Sequence, residues 1–297
     1  MQHMIDWKQI AADITSATGR SFTADAVSAL GGGCINRCFR LGNPRDACFV
    51  KINDRSLAPM FEAEHAGLEA ISATGTIRVP TPICSGVTTS NAYLVLEFIP
   101  LGGGGSLGQR LAGSRLAAMH RCTAEAYGGT HDNFIGSTPQ PNRWHDDWIE
   151  FWRRQRLGFQ LRLAADHGHR GRLQQRGALL LEAFPAFIDH APPPSLVHGD
   201  LWGGNLAFDP AGEPVIYDPA AYYGDREADI AMTELFGGFG REFYAAYDES
   251  WALDSGYKSR KRLYNLYHIL NHLNLFGGGY AAQSLSLIDG LLAELGH

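Results

Sequence analysis

Residues 92–105 read AYLVLEFIPLGGGG, an apolar, β-rich run followed by four successive glycines. An apolar run bounded by Pro and Gly predicts a buried strand over 92–99. Glycine gives up more backbone freedom on ordering than any other residue, so four in a row suit neither a helix nor a strand. The chain is expected to change character here, and residues 100–106 are read as a hinge. A diphosphate-binding loop is the competing reading. It is disfavoured because no Lys-Ser/Thr pair and no second spaced glycine pattern follows.

The two sides of this stretch differ. Before it, 5–18 predicts a short amphipathic helix, GGGCIN (31–36) a loop, and FRLG and ACFVKIN two strands. In MFEAEHAGLEAI (60–71), Phe61, Glu64, Leu68 and Ile71 recur at helical spacing, which turns Glu64 to the inner face. Pro80 and Pro82 then break the chain. After the glycines, Ser106 is expected to cap a helix. Trp144, Trp148 and Trp152 fall at i, i+4, i+8 and predict one packing face. Helices are expected over 172–190 and 262–276, with short strands in LVHGDLWGGN and PVIYDPA between them. The expected fold class is α+β and bilobal: a small β-rich N-lobe (1–99), the hinge, and a larger, mostly helical C-lobe (107–297).

Composition removes several function classes. Acidic residues outnumber Lys plus Arg by 31 to 25, for a net charge of −6, and no basic tract stands out, so no nucleic-acid partner is expected. No run of about 18 apolar residues occurs, so no membrane partner is expected. The start, MQHMIDWKQI, lacks the features of a signal peptide. Cysteines at 34, 38, 48, 84 and 122 are odd in number and suit reduced thiols in a cytoplasmic protein.

The chemistry lies in polar residues set among apolar ones. Lys51 sits in mid-strand, and a buried lysine needs a partner. Glu64 is the obvious one. Asn205 and Asp218 offer hard oxygen donors of the kind Mg²⁺ prefers. Asp200 is then left to take a proton from, or to orient, a reacting hydroxyl. A lysine on phosphates, a metal on Asp and Asn, and an Asp at the acceptor oxygen make up a phosphoryl-transfer site. The spacing H-x-D-x-x-x-x-N with a later strand-end Asp is that of a kinase catalytic loop.

GGGCIN, FVKIN, MFEAE, VPTP, LVHGDLWGGN, IYDPAAYYGDRE and DIAMTELFGGF together resemble the fructosamine (ketosamine) kinase family. WHDDWIEFWRRQRL and LYHILNHLNLFGGGY resemble it too, so the likeness spans about residues 30–280. The resemblance implies an aminoglycoside-phosphotransferase-like, protein-kinase-related fold. It implies ATP and Mg²⁺ as cofactors and phosphorylation of the third-carbon hydroxyl of a sugar–amine adduct, which then falls off the amine. The acceptor would be a small-molecule or protein-lysine ketosamine, and the protein a monomer or weak dimer. By this likeness Asp200 is the base, Asn205 and Asp218 are the metal ligands, and Lys51 with Glu64 is the phosphate-binding pair. Gly31, Gly32, Gly33, Cys34 and Asn36 belong to the loop over the phosphates. The backbone of Glu97, Phe98 and Ile99 would meet adenine. Gly203 stands where the family often has Ser, and GGGCIN is not the glycine loop of protein kinases.

Other residues keep two readings. His198 and Asp229 are expected to support the catalytic loop. Trp202, Asn271, His272 and Asn274 line the substrate pocket in one reading and are ordinary helix or loop residues in the other. Cys34 is either a redox-sensitive thiol near Lys51 or a small passive residue. A phosphotransferase for an aminoglycoside or choline-like alcohol, a non-catalytic nucleotide-binding regulator and a metal-dependent hydrolase are the alternatives in function. The last leaves Lys51 and the glycine run without a role.

Overall fold

A computed structural model describes residues 5–31 and 35–296. Helix α1 (Trp7–Thr18) leads into strands β1 (Val27–Leu30), β2 (Arg37–Leu41) and β3 (Cys48–Asp54). Helix α2 (Ala58–Ala73) and strands β4 (Pro82–Val87) and β5 (Asn91–Glu97) follow. The strands form one antiparallel sheet in the order β1-β2-β3-β5-β4.

Period-2 alternation decides what each face of this sheet does. Val50 and Ile52 of β3 pack with Val95 of β5 against Ile10 and Ile14 of α1. The residues between them turn the other way, and Phe49 and Lys51 face the cleft. On that side Leu94 and Leu96 share a core with Phe61 and Leu68 of α2. Strands β1 and β4 were not foreseen. Pro82 opens β4 at the sheet edge, where a residue without an N–H does no harm.

The rest of the chain is mostly helical. It contains α3 (Gly105–His120), the hairpin β6 (Asn133–Ile135) and β7 (Thr138–Gln140), α4 (Trp148–Trp152), α5 (Gly158–Asp166) and α6 (Arg172–Ala183). Then come β8 (Ser195–Val197), β9 (Leu206–Phe208), β10 (Pro214–Ile216), β11 (Tyr222–Gly224), α7 (Glu227–Leu235), α8 (Arg241–Ser250), α9 (Tyr257–Phe276) and α10 (Tyr280–Glu294). Helix α3 packs on α8, and α9 packs on α7 and α10. The architecture is α+β and bilobal, as expected. No helix among the described residues is long and apolar enough to cross a membrane. Cys38, Cys48, Cys84 and Cys122 are free thiols.

Three local expectations fail: those on Ser106, on Trp144 and on the length of the helix that starts near 172. Helix α3 begins at Gly105 with Gly104 at its N-cap and no side-chain cap, so Ser106 lies inside the first turn. Two glycines of the run, Gly102 and Gly104, sit against neighbouring chain. The Gly102 N–H donates to the carbonyl of Phe208 at 2.7 Å, and a Cβ on Gly104 would lie 2.4 Å from the Phe208 ring. Trp144 precedes the helix that carries Trp148 and Trp152. It is 41% exposed and stacks on Tyr223, because Asp147 caps α4 and starts the helix only there. Helix α6 is shorter than expected, ending at Ala183 just before Pro185 in a 3₁₀ turn.

Candidate active site

A cleft of about 750 Å³ lies between the sheet and the helical part. Lys51 and Glu64 enter it from the N-terminal side, and Asp200, Asn205 and Asp218 from the other. Five residues spread over 168 positions of sequence thus meet at one cavity.

Lys51 is 3% exposed. Its Nζ donates to Glu64 Oε1 at 2.5 Å and also to Asp218 Oδ1. The sequence reading paired Lys51 with Glu64 alone. The second pairing joins the sheet to the strand-end acid across 167 residues. Burial pulls the ammonium pKa down, and the two carboxylates more than reverse this, so Lys51 stays charged. For Glu64 burial pushes upward and the Lys51 charge pulls back, leaving the carboxyl above its ordinary range.

Asp218 has φ 59°, and no other non-glycine residue among those described has a positive φ. Asp tolerates this region better than most residues, but it remains sparsely populated, and such strain gathers at working sites. The strained backbone delivers a carboxylate that is 43% exposed in the cleft.

The loop carrying Asp200 is braced from behind. Asp229 on α7 is 1% exposed, and its two oxygens accept from the N–H of His198 at 2.6 Å and of Gly199 at 2.8 Å. His120 Nε2 lies 3.1 Å from the same carboxylate, and its Nδ1 lies 2.7 Å from Tyr247 Oη. Burial pushes Asp229 up, but the His120 hydrogen bond and these charges hold it below its ordinary value. Gly199 has φ 82°, and a Cβ there would lie 2.2 Å from the carbonyl oxygen of Ala220. No side chain fits at this turn.

His198 spends both ring nitrogens inside the protein. Nε2 donates to the carbonyl of Tyr217 at 3.0 Å, and Nδ1 accepts from the Asp200 N–H at 3.3 Å. Burial lowers its pKa, which suits a neutral ring. The ring therefore ties the Asp200 backbone to the residue before Asp218.

Asn205 Nδ2 donates to the carbonyl of Asp200 at 2.8 Å, which fixes the amide and leaves Oδ1 as its free donor atom. Asn205 Oδ1 and the Asp218 carboxylate supply hard oxygens on one wall, the donor set a small divalent cation takes. Burial, then the charges of Asp218 and Asp229, push Asp200 up to about 7, with Asn205 working against them.

The cavity is also lined by Gly31, Asn36, Glu97, Phe98 and Ile99. Gly32, Gly33 and Cys34 lie outside the described residues. The Asn36 Oδ1 accepts from Asn53 at 2.7 Å. The Glu97 carboxylate turns away to Arg78 at 2.8 Å, and Arg78 also holds Asp209 at 2.8 Å. This Arg78 link between the two halves was not foreseen, because it shares no periodicity with either partner.

Trp202 (41% exposed), Asn271 and His272 line the cavity. Asn274 does not. Its Nδ2 is bound to Gln160 Oε1 at 2.7 Å and to the Gln160 carbonyl at 3.0 Å, away from the cleft. On α9 it stands three positions after Asn271 but lies beyond the cavity-facing stripe. His268 does line the cavity and was missed. Its spacing of i, i+3, i+4 with Asn271 and His272 was the available signal.

The fructosamine kinase family model matches residues 6–294. A protein named "Probable ketoamine kinase" from Synechocystis sp. is 47% identical over 283 residues, covering 95% of each chain. The "Protein-ribulosamine 3-kinase, chloroplastic" of Arabidopsis thaliana is 45% identical, covering 93% of this chain and 86% of its own. Among solved structures, an aminoglycoside phosphotransferase, APH(4)-Ia, in ternary complex with ADP and hygromycin B superposes with a TM-score of 0.65. It is 14% identical over 96% of this chain and 98% of its own, a likeness of fold alone.

Proposed function

The chain belongs to the fructosamine kinase family, and we propose that it transfers the γ-phosphoryl group of ATP to the third-carbon hydroxyl of a ketosamine. The observation that carries this reading is the meeting of Lys51, Asp200, Asn205 and Asp218 at one cavity. A hydrolase needs no buried lysine there, and a regulator needs no base.

Each residue takes a role that its surroundings support. Lys51, held charged by Glu64, turns from Asp218 to the nucleotide phosphates. The backbone of Glu97–Ile99 meets adenine, and Gly31 and Asn36 lie on the phosphate side of the cavity. Asn205 and Asp218 would hold Mg²⁺, which when bound would offset charge on the phosphate oxygens. Asp200 accepts the hydroxyl proton as the acceptor oxygen bonds to Pγ and the bond from Pγ to the bridging oxygen of ADP breaks. His198 and Asp229 keep the Asp200 loop in place.

A phosphate on the carbon beside the ketone is a leaving group, so the product adduct decomposes and frees the amine. The acceptor is then a glycated small amine or a glycated protein lysine. The net charge of −6 suits a lysine-bearing partner.

The test is Mg²⁺-dependent ADP release with ribulose-, erythrulose- and fructose-lysine adducts, an aminoglycoside and choline, beside Asp200→Asn. Turnover on ketosamines alone, lost in the variant, is the expected result. Turnover only on the aminoglycoside or choline overturns the substrate, and ATP binding without turnover overturns the enzyme.

A further inference from the structure

On α9, His268, Asn271, His272 and Leu275 form one stripe at i, i+3, i+4 and i+7, and all four line the cavity. Most polar neighbours on this helix are committed to the protein. Tyr267 Oη donates to Gln140 at 2.6 Å. Asn271 is shared between Gln160 at 3.3 Å and the Ile135 carbonyl at 3.4 Å. His272 Nδ1 donates to the backbone carbonyl of His268 at 2.8 Å.

The His268 ring is different. It is 4% exposed, and neither ring nitrogen has a hydrogen-bond partner among the described residues. Its one ring contact is an edge-on approach to Tyr267 at 5.2 Å between centroids. Its nitrogens are not sealed in the core but open to the cavity, so their hydrogen-bonding capacity is left for whatever fills it.

We propose that His268 is a specificity-determining residue that hydrogen-bonds a hydroxyl or carbonyl oxygen of the acceptor's sugar chain. This rests on the ketosamine reading above. The side chain enters from α9, in the same helical half as Asp200 and away from the Lys51 sheet, so it serves the acceptor and not the nucleotide. Burial first, then the neighbouring His272, lowers its pKa to about 3, so the ring is neutral at working pH. A neutral imidazole has one donor and one acceptor nitrogen, the complement of a hydroxyl, which also does both. An imidazolium would instead repel the protonated amine of a ketosamine.

The test uses the full chain with ATP, Mg²⁺ and a fructose- or ribulose-lysine adduct. His268→Leu removes both hydrogen-bonding atoms and keeps an apolar bulk. Its KM for the adduct is expected to rise about 10- to 100-fold. Its KM for ATP should stay at the wild-type value, and its melting temperature at or above it. His268→Gln, which keeps a donor and an acceptor, should recover part of the loss. A series of deoxy adducts supplies a readout that a purely structural role would not move. One analogue should react poorly with wild type and lose nothing further in His268→Leu. If the Leu variant folds badly, His268→Phe, which keeps a ring and carries no hydrogen-bonding atom, takes its place in that comparison.

An unchanged adduct KM in His268→Leu, or an equal rise in the KM for ATP, overturns the inference while wild-type turnover leaves the proposed function standing. Wild type silent on every ketosamine overturns both.

Discussion

Lys51 on β3 and Asp218, two residues past the end of β10, form an ion pair across the cleft, and Glu64 holds the same ammonium from behind. Two carboxylates therefore depend on one buried lysine. Lys51→Met leaves Glu64 buried with no cation beside it. Breaking such a pair from one side typically costs about 3–5 kcal/mol. The Glu64 carboxyl, already pushed up by burial, then loses the charge that pulls it back. Its unfolded pKa lies near 4.5, so wherever the folded value is higher, stability falls as pH rises between the two. The melting temperature of Lys51→Met should lie further below wild type at pH 8 than at pH 5. Adding Glu64→Gln should recover stability but not activity. Equal deficits at both pH values would show that the pair does not govern the site.

Asp229 offers both oxygens to backbone N–H groups and one of them to His120 as well. In Asp229→Asn one of the two positions becomes an NH₂ facing an N–H donor. An unsatisfied buried group of this kind costs about 1–3 kcal/mol, and the turn at Gly199 loses its anchor. The expected result is a fall in kcat of at least about 100-fold with little change in the ATP KM. The pKa of Asp229 is held below its ordinary value, so its contribution is present above about pH 4 and fades below it. Wild type should therefore keep its stability margin over the variant at pH 7 and lose it only below about pH 4, which urea unfolding at pH 7 and at about pH 2.5 would measure.

The glycine run gives a sharper stability test. A Cβ on Gly104 would meet the Phe208 ring at 2.4 Å, whereas a Cβ on Gly103 meets nothing within 4 Å. Gly104→Ala should cost about 1–3 kcal/mol through overpacking and disturb β9, which follows Asn205 directly. Gly103→Ala should stay within about 0.5 kcal/mol of wild type. A pair of thermal melts decides it, and similar values would mean that the run acts through backbone freedom alone.

The contrast between these glycines marks what was legible beforehand. Lys51 and Glu64 stood out because each interrupts an apolar periodic segment, and Asp200, Asn205 and Asp218 because their spacing is that of a kinase catalytic loop; both signals are local and printed in the sequence. The sheet and helical halves followed from the same periods. What the period does not carry is contact between distant segments. The Lys51–Asp218 pair, the Arg78 link to Glu97 and Asp209, and the seat of Gly104 on Phe208 all join distant stretches with no shared pattern. Trp144 misled because a spacing of four suggests a helix even where the Asp147 cap starts it later. Asn274 misled because it shares a helix with Asn271 but not its face. His268 escaped because a lone histidine on a buried helix is usually core.

The last prediction concerns the stability cost of the base itself. Asp200 is pushed up to about 7 by burial and by Asp218 and Asp229, against 3.8 for an ordinary aspartate. Below about pH 4 both folded and unfolded chains hold this proton, and the group favours neither. Between 4 and 7 the unfolded chain gives up the proton while the folded chain keeps it, so stability falls as pH rises. Above 7 the penalty is complete. Asp200→Asn carries no charge and escapes it. The variant should be more stable than wild type at pH 8 by about 1–3 kcal/mol, allowing for the partial exposure of the group, and equal to it near pH 4. The same variant should lose about 10²- to 10⁴-fold in kcat, the usual share of a general base. Thermal melts in a chelator at the two pH values, with turnover measured in Mg²⁺, test both halves. A variant that is inactive and no more stable at pH 8 would mean that Asp200 is ionised at no cost in the free protein. The carboxylate would then be set for catalysis by something other than its burial between two acids.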